Sequence, residues 1–197
     1  MIPAMEATKA VNFHRNNALV VSTSSALRDW SQVSERRDLD VDLSDCMDRA
    51  PAVGLGLALA QPDGKVLVLD CDATLRTNLG GLATIGESNP KNLVHFVFDD
   101  VSSTSTSGIP IKEIDNLDLA QIANSSGYAK TYEFDKLEEL LIGWRKLCGR
   151  QVPSSSGSRC SAPGIRAHIL NAAWLRDGRR LGKVCLCQPR TNNMASR

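Results

Sequence analysis

An α/β fold, a parallel sheet covered by helices on both faces, is predicted by three features of this sequence. Short apolar runs at residues 18–22, 66–69 and 93–98 recur between segments of helical composition. Alternation of that kind builds a parallel sheet whose strands are buried on both sides. Two of the runs end in carboxylates, one in Asp70-Cys71-Asp72-Ala73 and the other in Asp99-Asp100. A further run, residues 46–62, sets Val53, Leu55, Leu57 and Leu59 among Gly54, Gly56, Ala58 and Ala60. It reads as a buried helix, apolar all round and closely packed.

Taken in order, residues 1–15 show no strong pattern and are expected to be a frayed lead-in. They lack the basic-then-apolar pattern of a signal peptide. Residues 18–22 (ALVVS) are the first strand, and Thr23, Ser24 and Ser25 are capping types for a helix over 26–33. Residues 34–45 are charged, with a short extended piece over 39–43. Pro51 fits the first turn of the apolar helix, and Pro62-Asp63-Gly64 is a turn. A strand over 66–69, a helix over 75–86, a turn at Asn89-Pro90 and a strand over 93–98 follow. The Ser/Thr-rich loop to Gly108 and an extended piece over 109–114 lead to a short amphipathic helix over 117–126, which Gly127 can end. Residues 128–134 alternate as a strand, and Asp135 is placed to cap a helix reaching Leu147. The domain is thus expected to span 16–148. From 149 to 197 the chain turns Ser/Gly/Pro-rich and basic, with a weak strand candidate over 165–170. This Ser/Arg-rich tail is expected to be disordered or an aberrant terminus.

The whole chain, 197 residues at a formal charge of +1, suits one α/β domain with its own core. That charge offers no handle for nucleic acid or an anionic membrane, and no apolar run reaches the length of a membrane span. Six cysteines are scattered, only Cys185 and Cys187 lying close. They suggest neither a zinc site nor a disulfide framework, so a cytoplasmic setting is expected.

The chemistry concentrates at the strand ends. Parallel strands place their carboxyl ends along one edge, where open α/β sheets bind ligands. Ala73 and Thr74 are small residues at a helix start, where backbone N–H groups suit a phosphate. Carboxylates such as Asp72 and Asp100 are hard oxygen ligands that suit Mg²⁺ beside phosphate oxygens. The residues alone thus allow a diphosphate–magnesium site. A plain strand–helix–strand unit with exposed acidic ends is the commoner alternative.

The stretch 66–108 resembles the cofactor-binding motif of thiamine diphosphate enzymes, which opens with Gly-Asp-Gly and closes with Asn-Asn or Asp-Asn. Cys71-Asp72-Ala73 falls on the opening and Asp99-Asp100 on the close. The chain is similar to phosphonopyruvate and sulfopyruvate decarboxylases from about residue 16 to about 147. Their run LLMNLGSLATI…PKNLVHIVLDN…STGG resembles residues 75–108 nearly residue for residue. The resemblance implies a thiamine diphosphate-binding fold, with Mg²⁺ on Asp72, Asp100 and the main-chain carbonyl of Ser102. It implies a diphosphate lying against Cys71, Asp72, Ala73 and Thr74, with both the N–H and the hydroxyl of Thr74 on offer. Cys46-Met47-Asp48-Arg49-Ala50 resembles SMGHA in the same enzymes. There Met47 would support the bent cofactor and the Cys46 carbonyl would accept from its 4′-amino group.

Cys71 and Ala73 replace Gly, Asp48 and Arg49 replace Gly and His, and Asp100 replaces Asn. A side chain at Cys71 would be harmful if a positive φ were needed there. The lost His removes a proton shuttle or substrate contact. The chain has room for the diphosphate-binding domain only. The resemblance therefore implies a pyrimidine-binding partner subunit that carries the activating glutamate, and an anionic 2-oxo acid substrate such as phosphonopyruvate or sulfopyruvate. The expected function is the diphosphate-binding subunit of such a decarboxylase, with no catalytic residue assigned to this chain. Two alternatives stay open: a non-catalytic relative with a degraded cofactor site, and an unrelated α/β domain for another phosphate ligand. His95, inside an apolar strand, reads as packed rather than catalytic.

Overall fold

A computed structural model describes residues 2–100, 117–147, 168–172 and 183–189. Four parallel strands form its centre: β1 (Leu19–Ser22), β2 (Asp40–Asp42), β3 (Val66–Cys71) and β4 (Leu93–Asp100), in the order β2-β1-β3-β4. All six residues of β3 are buried, as a strand covered on both faces requires. The period of two divides them. Leu67 and Leu69 face a core shared with α1 (Ala4–His14), α2 (Ser24–Val33) and α7 (Leu137–Leu147). Val66 and Val68 face a second core with α3 (Ala50–Ala60), α4 (Asp72–Thr77), α5 (Gly80–Ser88) and α6 (Leu119–Ser125).

Past β4 the sheet continues through β6 (His168–Ala172), β7 (Lys183–Pro189) and β5 (Tyr128–Phe134). β6 runs parallel to the end of β4, while β7 runs antiparallel to both β4 and β5. Two segments of the tail, at 168–172 and 183–189, are therefore strands: the first overlaps the strand candidate over 165–170, and the second lies where disorder or an aberrant terminus was expected. The N–H and C=O rows of β4 and β5 need partners, and the Val-Cys-Leu-Cys run of β7 fits between them.

Other expectations are corrected. The lead-in is α1: Ala4, Ala7, Thr8 and Val11 recur at helical spacing and are buried. Arg15 fastens its end, pairing with Asp40 at 2.9 Å, donating to Ser34 Oγ at 2.9 Å and lying 5.0 Å over the Trp30 ring. The helix expected over 75–86 is two helices, because Asn78 leaves helical geometry (φ −144°) just before Gly80 and Gly81. α3 is not buried all round. Gly54 faces β3 so closely that a Cβ would lie 2.2 Å from Val68 Cγ2, but Ala52, Gly56, Leu59 and Ala60 line an exposed face. Thr23 is the N-cap residue of α2 without a side-chain cap bond, because its hydroxyl is used elsewhere. The piece over 109–114 lies outside the described residues.

Candidate functional site

β1, β2, β3 and β4 are parallel, so they end along one edge. β1 pairs with both β2 and β3, while α2 and α3 cover opposite faces. The chain therefore reverses direction across the sheet at β1, and the crevice between the ends of β1 and β3 is the switch point where such sheets bind ligands. Thr23 follows β1 into this crevice and Asp72 follows β3.

The β3–α4 turn is closed upon itself. Asp70 Oδ1 accepts from the Cys71 N–H at 2.8 Å and from the Thr74 hydroxyl. That hydroxyl also lies 2.9 Å from the Cys71 carbonyl and 3.1 Å from the Cys71 sulfur, which accepts from the Thr74 N–H. Both polar groups of Thr74 are thus engaged within the turn instead of facing outward. Asp70 Oδ2 faces His95 Nε2 at 3.5 Å, and His95 Nδ1 lies 3.3 Å from the Tyr128 hydroxyl. Asp70, His95 and Tyr128 are fully buried. Burial, followed by the Asp70 charge, pushes the Cys71 thiol above its ordinary range. Cys71 has φ −120°, an extended conformation, so its side chain is accommodated without strain.

Asp72 begins α4, where the first N–H groups have no acceptor within the helix. Asp72 is only 4 % exposed, and its carboxylate lies 3.3 Å from Arg76 Nε, one helical turn on. Ala73 follows it, small enough for close approach.

The second arm is the 3₁₀ turn Met47–Arg49. The Thr23 hydroxyl donates to the Met47 carbonyl at 3.2 Å, and Asn78 Nδ2 donates to the Asp48 carbonyl at 3.1 Å. These bonds fasten the turn to the ends of β1 and α4. The Cys46 carbonyl accepts from the Arg49 N–H at 2.9 Å, leaving one lone pair for another donor. Cys46 is exposed, Met47 is 37 % exposed, and Asp48 pairs with Arg49 at 3.3 Å in solvent.

The fold therefore brings Cys71, Asp72, Ala73 and Thr74 into one turn, with Cys46 and Met47 held beside it through Asn78. Asp100 ends β4, the next strand, but its side chain lies outside the described residues, as does Ser102. Among the described residues, no group of three or more His, Cys, Asp or Glu side chains gathers to hold a metal. Sequence reasoning missed Arg76 and the Asp70–His95–Tyr128 cluster. Arg76 was signalled by its spacing of four from Asp72, and His95 by its sharing a face with Leu93 and Val97.

A family match shows what the chain belongs to. The profile described as thiamine pyrophosphate enzyme, C-terminal TPP binding domain, matches residues 23–154. The chain belongs to this family. An unrelated α/β domain is thereby set aside. Among relatives of this TPP-binding domain, phosphonopyruvate decarboxylase of Streptomyces viridochromogenes is 34% identical over 126 residues, 64% of this chain and 31% of that protein. Sulfopyruvate decarboxylase subunit beta of Methanocaldococcus jannaschii is 40% identical over 93 residues, 47% of this chain and 48% of the relative. The same subunit of Methanococcus maripaludis is 33% identical over 125 residues, 64% and 63% of the two chains. The chain thus spans less than half of the first two relatives. No described helix is long and apolar enough to cross a membrane.

Proposed function

We propose that this chain is the diphosphate-binding subunit of a cytoplasmic, thiamine diphosphate- and Mg²⁺-dependent 2-oxo acid decarboxylase. The observation that carries this reading is a buried carboxylate, Asp72, on the turn leaving β3 at the switch point, inside a chain of the TPP-binding family. A buried carboxylate such as Asp72 is the donor type that a hard divalent cation takes beside phosphate oxygens. Asp72, Asp100 and the main-chain carbonyl of Ser102 would hold Mg²⁺, and the first turn of α4 from Cys71 to Thr74 would lie against the diphosphate. Bound there, thiamine diphosphate would supply the electron sink that decarboxylation of a 2-oxo acid needs.

This chain's own residues bind and orient. The bonds of Asp70 to the Cys71 N–H and the Thr74 hydroxyl hold the turn in one shape, so that little ordering is left to binding. Met47 would prop the cofactor from the second arm, and the remaining lone pair of the Cys46 carbonyl would orient its amino group. Neither arm carries the activating glutamate. The exposed Met47 and the exposed apolar face of α3 support a partner subunit that supplies it and covers the pyrimidine half. The substrate would be an anionic 2-oxo acid such as phosphonopyruvate or sulfopyruvate, a reading supported by the names of the relatives.

Calorimetric titration of thiamine diphosphate, with and without Mg²⁺, tests this reading on the chain alone and with a co-purified partner. Metal-dependent binding that is lost in Asp72→Ala is expected. Equal binding by Asp72→Ala, or none with a partner present, would overturn it.

A further inference from the structure

The carboxylate that would ligate Mg²⁺ already has a cation. Asp72 is nearly buried, and a buried carboxylate without a counter-charge is costly. Arg76 meets that need from one helical turn away, its Nε 3.3 Å from Asp72 Oδ2. The side chain of Arg76 keeps 17 % of its surface in solvent, against 5 % for Asp72. Its long stem thus leaves the guanidinium a route outward that the carboxylate lacks. A metal ion on Asp72 Oδ2 would stand within a few ångströms of the guanidinium already paired with that oxygen, and the two cations repel.

We propose that Arg76 is an internal counter-cation that Mg²⁺ must displace from Asp72, so that Arg76 sets the metal affinity of the site. The proposal rests on the reading of Asp72 as a metal ligand. Without metal, the ion pair keeps the turn folded and its carboxylate oriented. With metal, Asp72 exchanges one cation for the other and the guanidinium swings outward, where it adds positive charge beside an anionic cofactor. Arg76 is a positioning residue in this scheme. It raises the metal concentration at which the site fills and acts through Asp72, without touching the reacting atoms.

The test is a Mn²⁺ titration of the full chain with its co-purified partner and thiamine diphosphate present, free Mn²⁺ being read by electron paramagnetic resonance. Wild type is compared with Arg76→Leu, Arg76→Lys and Asp72→Asn. Arg76→Leu is expected to bind Mn²⁺ about tenfold more tightly, the scale of a partly exposed ion pair, with Arg76→Lys between it and wild type. A second readout needs no variant: the Arg76 Nε–H resonance is expected to exchange slowly with solvent in metal-free protein and rapidly once Mg²⁺ is added. Equal Mn²⁺ affinity in wild type and Arg76→Leu, lost in Asp72→Asn, would overturn the role of Arg76 and leave the metal site standing. An Nε–H that stays protected with metal bound would also overturn it. Mn²⁺ binding that survives in Asp72→Asn, or that occurs in no variant, would overturn the metal site itself and the role of Arg76 with it.

Discussion

The two turns that meet at the sheet edge are built in opposite ways. The β3–α4 turn is closed: Asp70, Cys71, Asp72 and Thr74 are buried, and their polar groups bond to one another, to Arg76 or toward His95. The Met47–Arg49 turn is open: Thr23 and Asn78 hold only its carbonyls, while the side chains of Cys46, Met47, Asp48 and Arg49 reach solvent. The closed turn is finished within one chain. The open one has an orientation but no cover. One turn closed in itself beside another left uncovered is what the proposed division of the active site between two subunits would require.

Breaking the closed turn should give the largest effect. In His95→Leu, the Tyr128 hydroxyl loses its bond to His95 Nδ1 and Asp70 Oδ2 faces a methyl group, both in a fully buried site, and stability should fall by about 1–3 kcal/mol. The matching change in the open turn, Met47→Ala, should shift chain stability by no more than about 0.5 kcal/mol. Urea denaturation of both variants checks the contrast. A loss near 2 kcal/mol in Met47→Ala would mean that the second turn is part of the core.

The two faces of α3 repeat the contrast on one helix. At Gly54 an added Cβ would meet Val68 Cγ2 at 2.2 Å, so Gly54→Ala should cost about 1–3 kcal/mol through overpacking. At Gly56 an added Cβ meets nothing within 4 Å, so Gly56→Ala should stabilise by about 0.5 kcal/mol through helix propensity. Thermal unfolding of the pair should move in opposite directions. Movement in the same direction would show that the outer face is already covered in solution.

The sheet was legible in the sequence because strands buried on both faces carry continuous apolar runs, as in Val66-Leu67-Val68-Leu69. The closed turn was legible through Asp72 and its resemblance to a cofactor motif. Its wiring was not. Thr74 turned inward because Asp70 sits one residue before the motif, and no local pattern ties Asp70 to His95 or Tyr128, which arrive from separate strands. Thr23 reads as a helix cap, yet Ser24 adopts φ 53° and the Thr23 hydroxyl bonds to Met47, twenty-four residues on. The exposed face of α3 was hidden for a related reason. An all-apolar helix has no polar side, so its pattern cannot tell burial within one chain from burial against another. Residues 1–15 were misread because alanine contributes weakly to an apolar stripe, though Ala4 and Ala7 pack as well as larger residues do.

The mildest test leaves the sequence unchanged and reads the two turns through their own thiols. Cys46 is exposed on the open turn and Cys71 is buried in the closed one. Alkylation proceeds through the thiolate, and Cys71 is kept as a thiol first by burial and then by the Asp70 charge beside it. Its modification therefore waits for the β3–α4 turn to open. With an opening cost of about 3 kcal/mol, labelling at Cys71 should be slower than at Cys46 by about two orders of magnitude, as peptide mapping by mass spectrometry would show. A partner seated across the open turn should then slow Cys46 while leaving Cys71 where it was. Comparable rates at the two cysteines in the chain alone would remove the distinction between a closed and an open turn, because both would open to solvent with equal ease.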